Sequence, residues 1–339
     1  MTVQQAIARL LDGHTLTAAE AEDAMHGIAG GDATPAQIGA FLVLLRARGE
    51  TVDEIAGFAR ALRSRAIAVQ APAGPVLDTC GTGGDGTGTV NVSTLAALTA
   101  AAGGACVAKH GNRSVSSQVG SADLLEALGV RLDLEPAALS ACLYETRFAF
   151  LFAPRHHPAL QHAVQPRREL GVRTVFNLLG PLVNPARATH QVVGVFAASW
   201  VRPLSEVLRD LGTERALVVH GEDGGDEISL AGPTAVAELR GGVVSLQTWR
   251  PEDAGVMPQP LAALRGGDRA CNQALAERVL GGEPGALQDA VALNAGAALY
   301  VAGLAPDWRT GVAAARDLLV RGAVRATLDA VVRYTQGAP

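Results

Sequence analysis

The sequence predicts an α/β protein in two parts: a small N-terminal α-helical domain over residues 1–69, then a larger α/β domain over 75–339 with a central, mostly parallel sheet flanked by helices. Three observations carry this. Up to residue 69 the apolar residues recur at helical spacing. From Pro75 onward short apolar runs of strand length alternate with helical segments. Between the two lies "VQAPAGP", residues 69–75, whose Pro, Gly and Ala content marks a linker.

The first part reads as consecutive helices. "TLTAAEAEDAMHGIAGG" opens on a Thr/Glu capping pattern and closes on glycine, "TPAQIGAFLVLLRARGE" opens Thr-Pro and runs to Gly49, and "TVDEIAGFARALRSRA" follows. In the second part the candidate strands are "PVLD", "ACVA", "FAFLF", "QVVGVF", "ALVVHG", "AVAEL" and "VVSLQTW". Helices are expected near 94–102, 121–128, 136–146, 158–170 and 202–211, and the tail from Pro260 is mostly helical. The helices near 158–185 are expected also to pack with the helical domain.

A chain of 339 residues with 48% hydrophobic and 18% charged residues can bury a sizeable core. Its formal charge of -5 gives no general attraction to nucleic acid or to an anionic membrane, so any anion chemistry must be local. Cys80, Cys106, Cys142 and Cys271 lie far apart with no zinc-ligand spacing and read as reduced thiols. Acidic residues precede any signal-like run, and no apolar segment approaches the ~20 residues that span a bilayer; a cytoplasmic location is the expectation.

The chemistry concentrates in loops. The strand ending at Asp78 runs into "TCGTGGDGTGTVNVST", where Gly81, Gly83, Gly84, Gly86 and Gly88 accompany Asp85 and four threonines ahead of Val90. A strand, a Gly-rich turn and a helix capped by Ser93 or Thr94 gather backbone amides and the positive helix end around one point, which is an anion cradle. It has neither the GK[ST] of a Walker A loop nor GxGxxG spacing. The next strand completes a βαβ unit, so its loop emerges at the same sheet edge.

That second loop opens with Lys109, the only lysine among 28 Lys and Arg residues. A compact ammonium and a planar guanidinium are not interchangeable at a tight anion site. Asn112, Ser116, Ser117 and Ser121 add neutral donors there. Further on, five arginines against the single acid Glu169 make 147–173 a positive patch in an acidic chain. In "EDGGDEIS" Asp226 and Glu227 form an adjacent acidic pair in a Gly-flexed loop, a fit to magnesium, which takes few carboxylates. His156 and His157, being adjacent, point to different faces and make a poor metal pair.

Together "DTCGTGGDGTGTVNVST", "AKHGNRSVSS", "SADLLEALG", "HHPALQHAVQPRRELGVRTVFNLLGPLVNPA", "HGEDGGDEISLAGPT" and "LNAGAAL" resemble the anthranilate phosphoribosyltransferase family, in the family's order and over essentially the whole chain to residue 300. The resemblance implies a magnesium-dependent transfer of phosphoribosyl from 5-phosphoribosyl 1-diphosphate to anthranilate, in tryptophan biosynthesis, by a homodimer that meets neither nucleic acid nor membrane.

It also implies roles. Gly81, Gly84, Asp85, Thr89, Asn91, Val92, Ser93 and Thr94 would bind phosphoribosyl diphosphate, with Lys109, His110, Gly111, Asn112, Arg113, Ser114, Val115, Ser116, Ser117 and Ser121 completing that site. Ser93, Asp226 and Glu227 would hold magnesium. Gly81, Asn112 and Arg167 would meet anthranilate, whose carboxylate suits a bidentate guanidinium. His110 and His157 would be pocket walls. Arg168 and Arg173 read as a solvated helix face, and Pro166, where the family pattern has an apolar residue, is expected to shift that helix start slightly. No covalent nucleophile is implied.

Two other readings stand beside this one. Pyrimidine nucleoside phosphorylases share the fold and carry their own Gly-rich loop and lysine, but "GTGGDG", "KHGNRS" and the acidic pair are the transferase's versions. A nucleic-acid-binding relative should show a basic face, which an acidic chain does not supply.

Overall fold

The computed structural model describes residues 1–113 and 119–338. Four helices open it: α1 (Val3–Leu11), α2 (Ala18–Gly30), α3 (Pro35–Arg48) and α4 (Val52–Arg65). Each starts on a threonine whose hydroxyl accepts the amide three residues on, while the Gln or Glu at that position reaches back: Thr2 with Gln5, Thr17 with Glu20, Thr34 with Gln37 and Thr51 with Glu54. Glu54 does more than cap. It is fully buried and also accepts the amide of Leu16 at 2.9 Å and pairs with Arg48, so one carboxylate fixes three segments of the bundle.

All seven expected strands form: β1 (Val76–Asp78), β2 (Cys106–Gly111), β3 (Phe148–Phe152), β4 (His190–Gly194), β5 (Arg215–Gly221), β6 (Thr234–Arg240) and β7 (Val243–Trp249). They make one sheet in the order β3-β2-β1-β4-β5-β6-β7. β1 to β5 are parallel, and β6 and β7 add an antiparallel hairpin. That hairpin turns through Gly241 and Gly242, both at positive φ as a two-residue hairpin loop requires.

Helices cover both faces. On one, α5 (Val92–Ala102) lies against the helices Ala286–Val301 and Ala323–Gly337 over the largest core. On the other, Val193, Val218 and Leu239 of the sheet share a core with Phe41 and Phe58 of the helical bundle. The helix Gln161–Leu170 packs on α2 and α3, and Phe176, Leu179 and Leu182 belong to that same core. Among the described residues no helix is long and apolar enough to cross a membrane.

Candidate active site

β1 is where the strand order reverses, because the chain runs outward through β2 and β3 and returns to β4 on the far side of β1. Open α/β sheets bind ligands in the crevice this leaves beyond the carboxyl ends of the strands. The Gly-rich loop after β1 crosses it. Gly83, Gly84, Gly86 and Gly88 all hold positive φ, between 63° and 77°. The amide of Thr82 donates to the carbonyl of Gly194 at 2.8 Å, and the amide of Phe196 to Thr82 Oγ1 at 3.0 Å, which ties the loop to the end of β4.

The acidic loop after β5 closes from the other side. The amide of Gly83 donates to Asp226 Oδ2 at 2.7 Å, and that of Ser93 to Glu227 Oε1 at 3.1 Å. Contact is too close for side chains: a Cβ on Gly81 would lie 2.8 Å from Asp226 Oδ2, and one on Gly194 only 1.4 Å from the Asp226 carbonyl oxygen. Asp85 accepts from the Thr87 hydroxyl at 2.6 Å, with Thr89 Oγ1 3.4 Å beyond. Together Asp85, Thr87, Thr89 and Glu227 line a cleft of ≈ 330 Å³.

Helix α5 begins differently from the expectation. Asn91, not Ser93 or Thr94, is its N-cap, and no side chain caps it in the usual way. The reason is Glu227, whose side-chain oxygen takes the amide of Ser93 at the helix start in place of a local cap. Thr94 Oγ1 and Asn91 Oδ1 are buried without a hydrogen-bond partner, while Asn91 Nδ2 donates to the Val119 carbonyl at 3.0 Å. Val92 is the buried first residue of the helix.

Lys109 and His110 lie inside β2, which runs on through Gly111, so the lysine is a strand residue and does not open the loop. It is 2% exposed. Its ammonium donates to Thr79 O and Thr79 Oγ1, both at 3.2 Å, and Thr79 in turn donates to the Ser93 carbonyl at 3.1 Å. The Lys109 charge faces Asp78, which is buried and accepts from Asn184 Nδ2 at 2.7 Å and from the amide of His110 at 3.1 Å. Burial pushes Asp78 up to about 6. Burial and the Asp226 charge push Glu227 up to about 8; burial and Asp85 push Asp226 up to about 6. Three carboxylates thus crowd one crevice, with one ammonium behind them.

Of the second loop, the Asn112 carbonyl accepts from Ser121 Oγ and from the amide of Ala122, each at 3.3 Å. Arg113 is bidentate to Glu126 and also donates to Asp123, so its charge is matched by the helix Ser121–Ala127. Ser114, Val115, Ser116 and Ser117 lie outside the described residues.

Arg167 sits in the last turn of Gln161–Leu170, half-buried, its guanidinium 5.0 Å over the Phe176 ring; burial pushes its pKa down. Pro166 is interior to that helix and does not displace its start, which is set at Gln161 by the preceding 3₁₀ turn Pro158–Leu160. Arg168 and Arg173 are both exposed, as expected, but Arg173 lies beyond the helix rather than on its face. It lies past the αL glycine Gly171, donates to the Gly84 carbonyl and stacks 4.6 Å over Phe196. His110 and His157 meet edge to face at 5.1 Å. Burial pushes them down to about 3 and about 4, and the Nε2 of each is buried without a partner. Neutral imidazoles of this kind are walls that can still take or give one hydrogen bond.

Among the described residues no three His, Cys, Asp or Glu side chains gather as a metal cage. The Asp226–Glu227 pair, with Ser93 held against Glu227 through its amide, fits a different mode, in which magnesium keeps few protein ligands and fills the rest from phosphate and water. Sequence reasoning missed Asp78, Asn184, Gly194 and Arg173. A glycine closing "QVVG" at the sheet edge signals Gly194, and an acid ending the "VLD" run signals Asp78; Asn184 and Arg173 carry no such mark.

Residues 4–66 match the family model described as glycosyl transferase family, helical bundle domain, and residues 73–325 match glycosyl transferase family, a/b domain. The chain is 51% identical over 335 residues to anthranilate phosphoribosyltransferase of Thioalkalivibrio sulfidiphilus, covering 99% of each. It superposes on the crystal structure of the Thermus thermophilus anthranilate phosphoribosyltransferase with a TM-score of 0.94 at 48% identity, over 98% of this chain and 99% of that one. The Saccharomyces cerevisiae enzyme, solved in complex with PRPP and Mg, gives a TM-score of 0.89 at 25% identity, over 99% of this chain and 98% of that one.

Proposed function

Because the chain belongs to the anthranilate phosphoribosyltransferase family, we propose that it transfers the phosphoribosyl group of 5-phosphoribosyl 1-diphosphate to the amine of anthranilate, releasing diphosphate, as the second step of tryptophan biosynthesis. One observation supports this reading above the rest. Amides of the Gly-rich loop and of the α5 start already hold carboxyl oxygens, those of Asp226 and Glu227. Backbone donors set in this way suit the diphosphate of the donor substrate.

The aromatic amine is neutral and nucleophilic near pH 7, so the chain needs no strong base. The slow event is departure of diphosphate from the anomeric carbon as positive charge grows on the ribose. Gly81, Gly84, Asp85, Thr89, Asn91, Ser93 and Thr94 hold the diphosphate and ribose in fixed donors and acceptors, and Lys109 adds positive charge from behind the loop. Ser93, Asp226 and Glu227 would hold magnesium, which when bound would supply charge neutralisation for the departing diphosphate. Arg167, with Asn112 and Gly81, orients the anthranilate carboxylate so that the amine is held in line. His110 and His157, both neutral, wall the acceptor side.

The same reading carries a homodimer through the helical bundle. Leu11, Val43 and Val164 are 68%, 44% and 48% exposed, on α1, α3 and Gln161–Leu170, helices that pack side by side. The test of the activity is direct: purified protein with both substrates and magnesium should consume anthranilate fluorescence, and a chelator should stop it. Unchanged fluorescence with folded protein would overturn the proposal.

A further inference from the structure

The motif "LNAGAAL" has no part in the chemistry above, yet its asparagine reaches the acidic loop. Asn294 lies on the helix Ala286–Val301 and is 3% exposed. Its Oδ1 accepts the amide of Ile228 at 2.9 Å, and its Nδ2 donates to the Ile228 carbonyl at 3.1 Å and to the Ala290 carbonyl at 3.0 Å. The side-chain amide therefore grips both polar groups of the residue that follows Glu227. Both amide hydrogens are used, so although Asn294 lines the cleft it has no donor left for a ligand.

The other end of the loop is fixed too. Asp223 accepts from Ser229 Oγ at 2.6 Å and from the amide of Gly225 at 3.1 Å. Asp226 and Glu227 thus stand on a short crest between two anchors. The Asn294 anchor is itself rigidly seated. A Cβ on Gly296 would lie 2.5 Å from the Val312 nitrogen and one on Gly311 2.3 Å from the Gly296 oxygen, so this helix and Trp308–Val320 cross at glycine-only distance. Trp308 Nε1 also donates to the Leu293 carbonyl at 3.0 Å, one residue before Asn294.

We infer that Asn294 is a positioning residue, which holds the Asp226–Glu227 crest in the geometry that receives magnesium-bound diphosphate. This rests on the reading that the two carboxylates meet that ligand. Groups that orient metal ligands without touching the metal cost 10–100-fold in metal affinity when removed, which sets the scale here.

The test titrates the full chain with phosphoribosyl diphosphate and magnesium in a calorimeter, without anthranilate. Asn294→Leu, of similar volume, is expected to weaken binding about 10-fold or more, and Asn294→Asp, which keeps an acceptor for the Ile228 amide, to weaken it less. Val291→Ala, a buried apolar change on the same helix, is expected to lower the melting temperature and leave the affinity alone. Wild-type affinity in folded Asn294→Leu overturns the inference, and so does an equal loss in Val291→Ala. Asp226→Asn and Glu227→Gln separate the premise: if these bind as wild type, the metal reading itself fails. Should the Asn294 variants not fold, amide exchange on the wild-type chain decides, since the Ile228 amide must exchange slowly without ligand; fast exchange there refutes the clamp.

Discussion

The carboxylate of Asp226 accepts the backbone amide of Gly83 at 2.7 Å across 143 residues of sequence. In that one bond the acidic loop and the Gly-rich loop satisfy each other, amide to carboxylate, while Asp85, Asp226 and Glu227 repel. The site therefore holds its carboxyl groups together against their mutual repulsion.

Neutralising that repulsion should stabilise the free protein. Glu227 is pushed up to about 8 from an ordinary 4.5, so the folded state binds the extra proton; the stability from this proton is whole below about pH 4.5 and is lost as pH rises through about 8. At pH 8, Glu227→Gln is expected to raise the melting temperature by several degrees and to abolish most of the activity. Calorimetric scans at pH 5 and pH 8 check it: a gain as large at pH 5 would assign the effect elsewhere.

The Lys109 ammonium donates to Thr79, and its charge favours the ionised form of the buried Asp78. Lys109→Ala removes that charge and leaves the Thr79 acceptors without this donor, so it is expected to lower the melting temperature. The expected kinetic outcome is a higher KM for phosphoribosyl diphosphate with a smaller change for anthranilate, and Lys109→Arg should not restore it, because the fork does not fit a point-charge site. Steady-state titration of each substrate decides. Unchanged saturation by phosphoribosyl diphosphate would remove Lys109 from the site.

Arg167 has the anthranilate carboxylate as its proposed partner. Losing a charge-assisted bond of roughly 1.5–3 kcal/mol in Arg167→Ala raises the anthranilate KM about 10 to 150-fold. An unaltered anthranilate KM would place the acceptor elsewhere.

Arg173 separates from Arg167 by substrate. Its contacts are the Gly84 carbonyl and the Phe196 ring, so Arg173→Ala should loosen the Gly-rich loop and raise the phosphoribosyl diphosphate KM by about 10-fold, the scale of one charge-assisted bond. Its effect on anthranilate should be the smaller one; the reverse pattern would make it an acceptor residue.

The histidine pair gives the acid limb. Both are pushed down, to about 3 and about 4, from 6.5, so the stability they contribute is whole above about pH 6.5 and is lost as pH falls towards those values. Melting temperature followed from pH 7 to pH 4 should fall, and less steeply in His157→Gln. An identical slope in that variant would show that other groups set the limb.

Much of this was legible in the chain. Short apolar runs between helical segments located all seven strands, and helical spacing with a Thr/Glu start announced the bundle helices, because both signals are local. The extent of β2 was not, since Lys109, His110 and Gly111 look like loop residues and join the strand only by pairing with Phe150, Leu151 and Phe152. The capping of α5 was misread for a similar reason: its carboxylate comes from residue 227, which no local rule brings near residue 93. Arg173 is exposed as its sequence suggests, but its contact with Gly84 was hidden, because Gly171 ends the helix and turns the chain towards that loop.

The single lysine also makes the protein unusually readable by amine chemistry. A reagent selective for primary amines meets one side-chain target in 339 residues, and that target is 2% exposed and tied to Thr79. Its modification rate becomes a clock for how often that ammonium leaves its acceptors, recorded at one known atom without any engineered label.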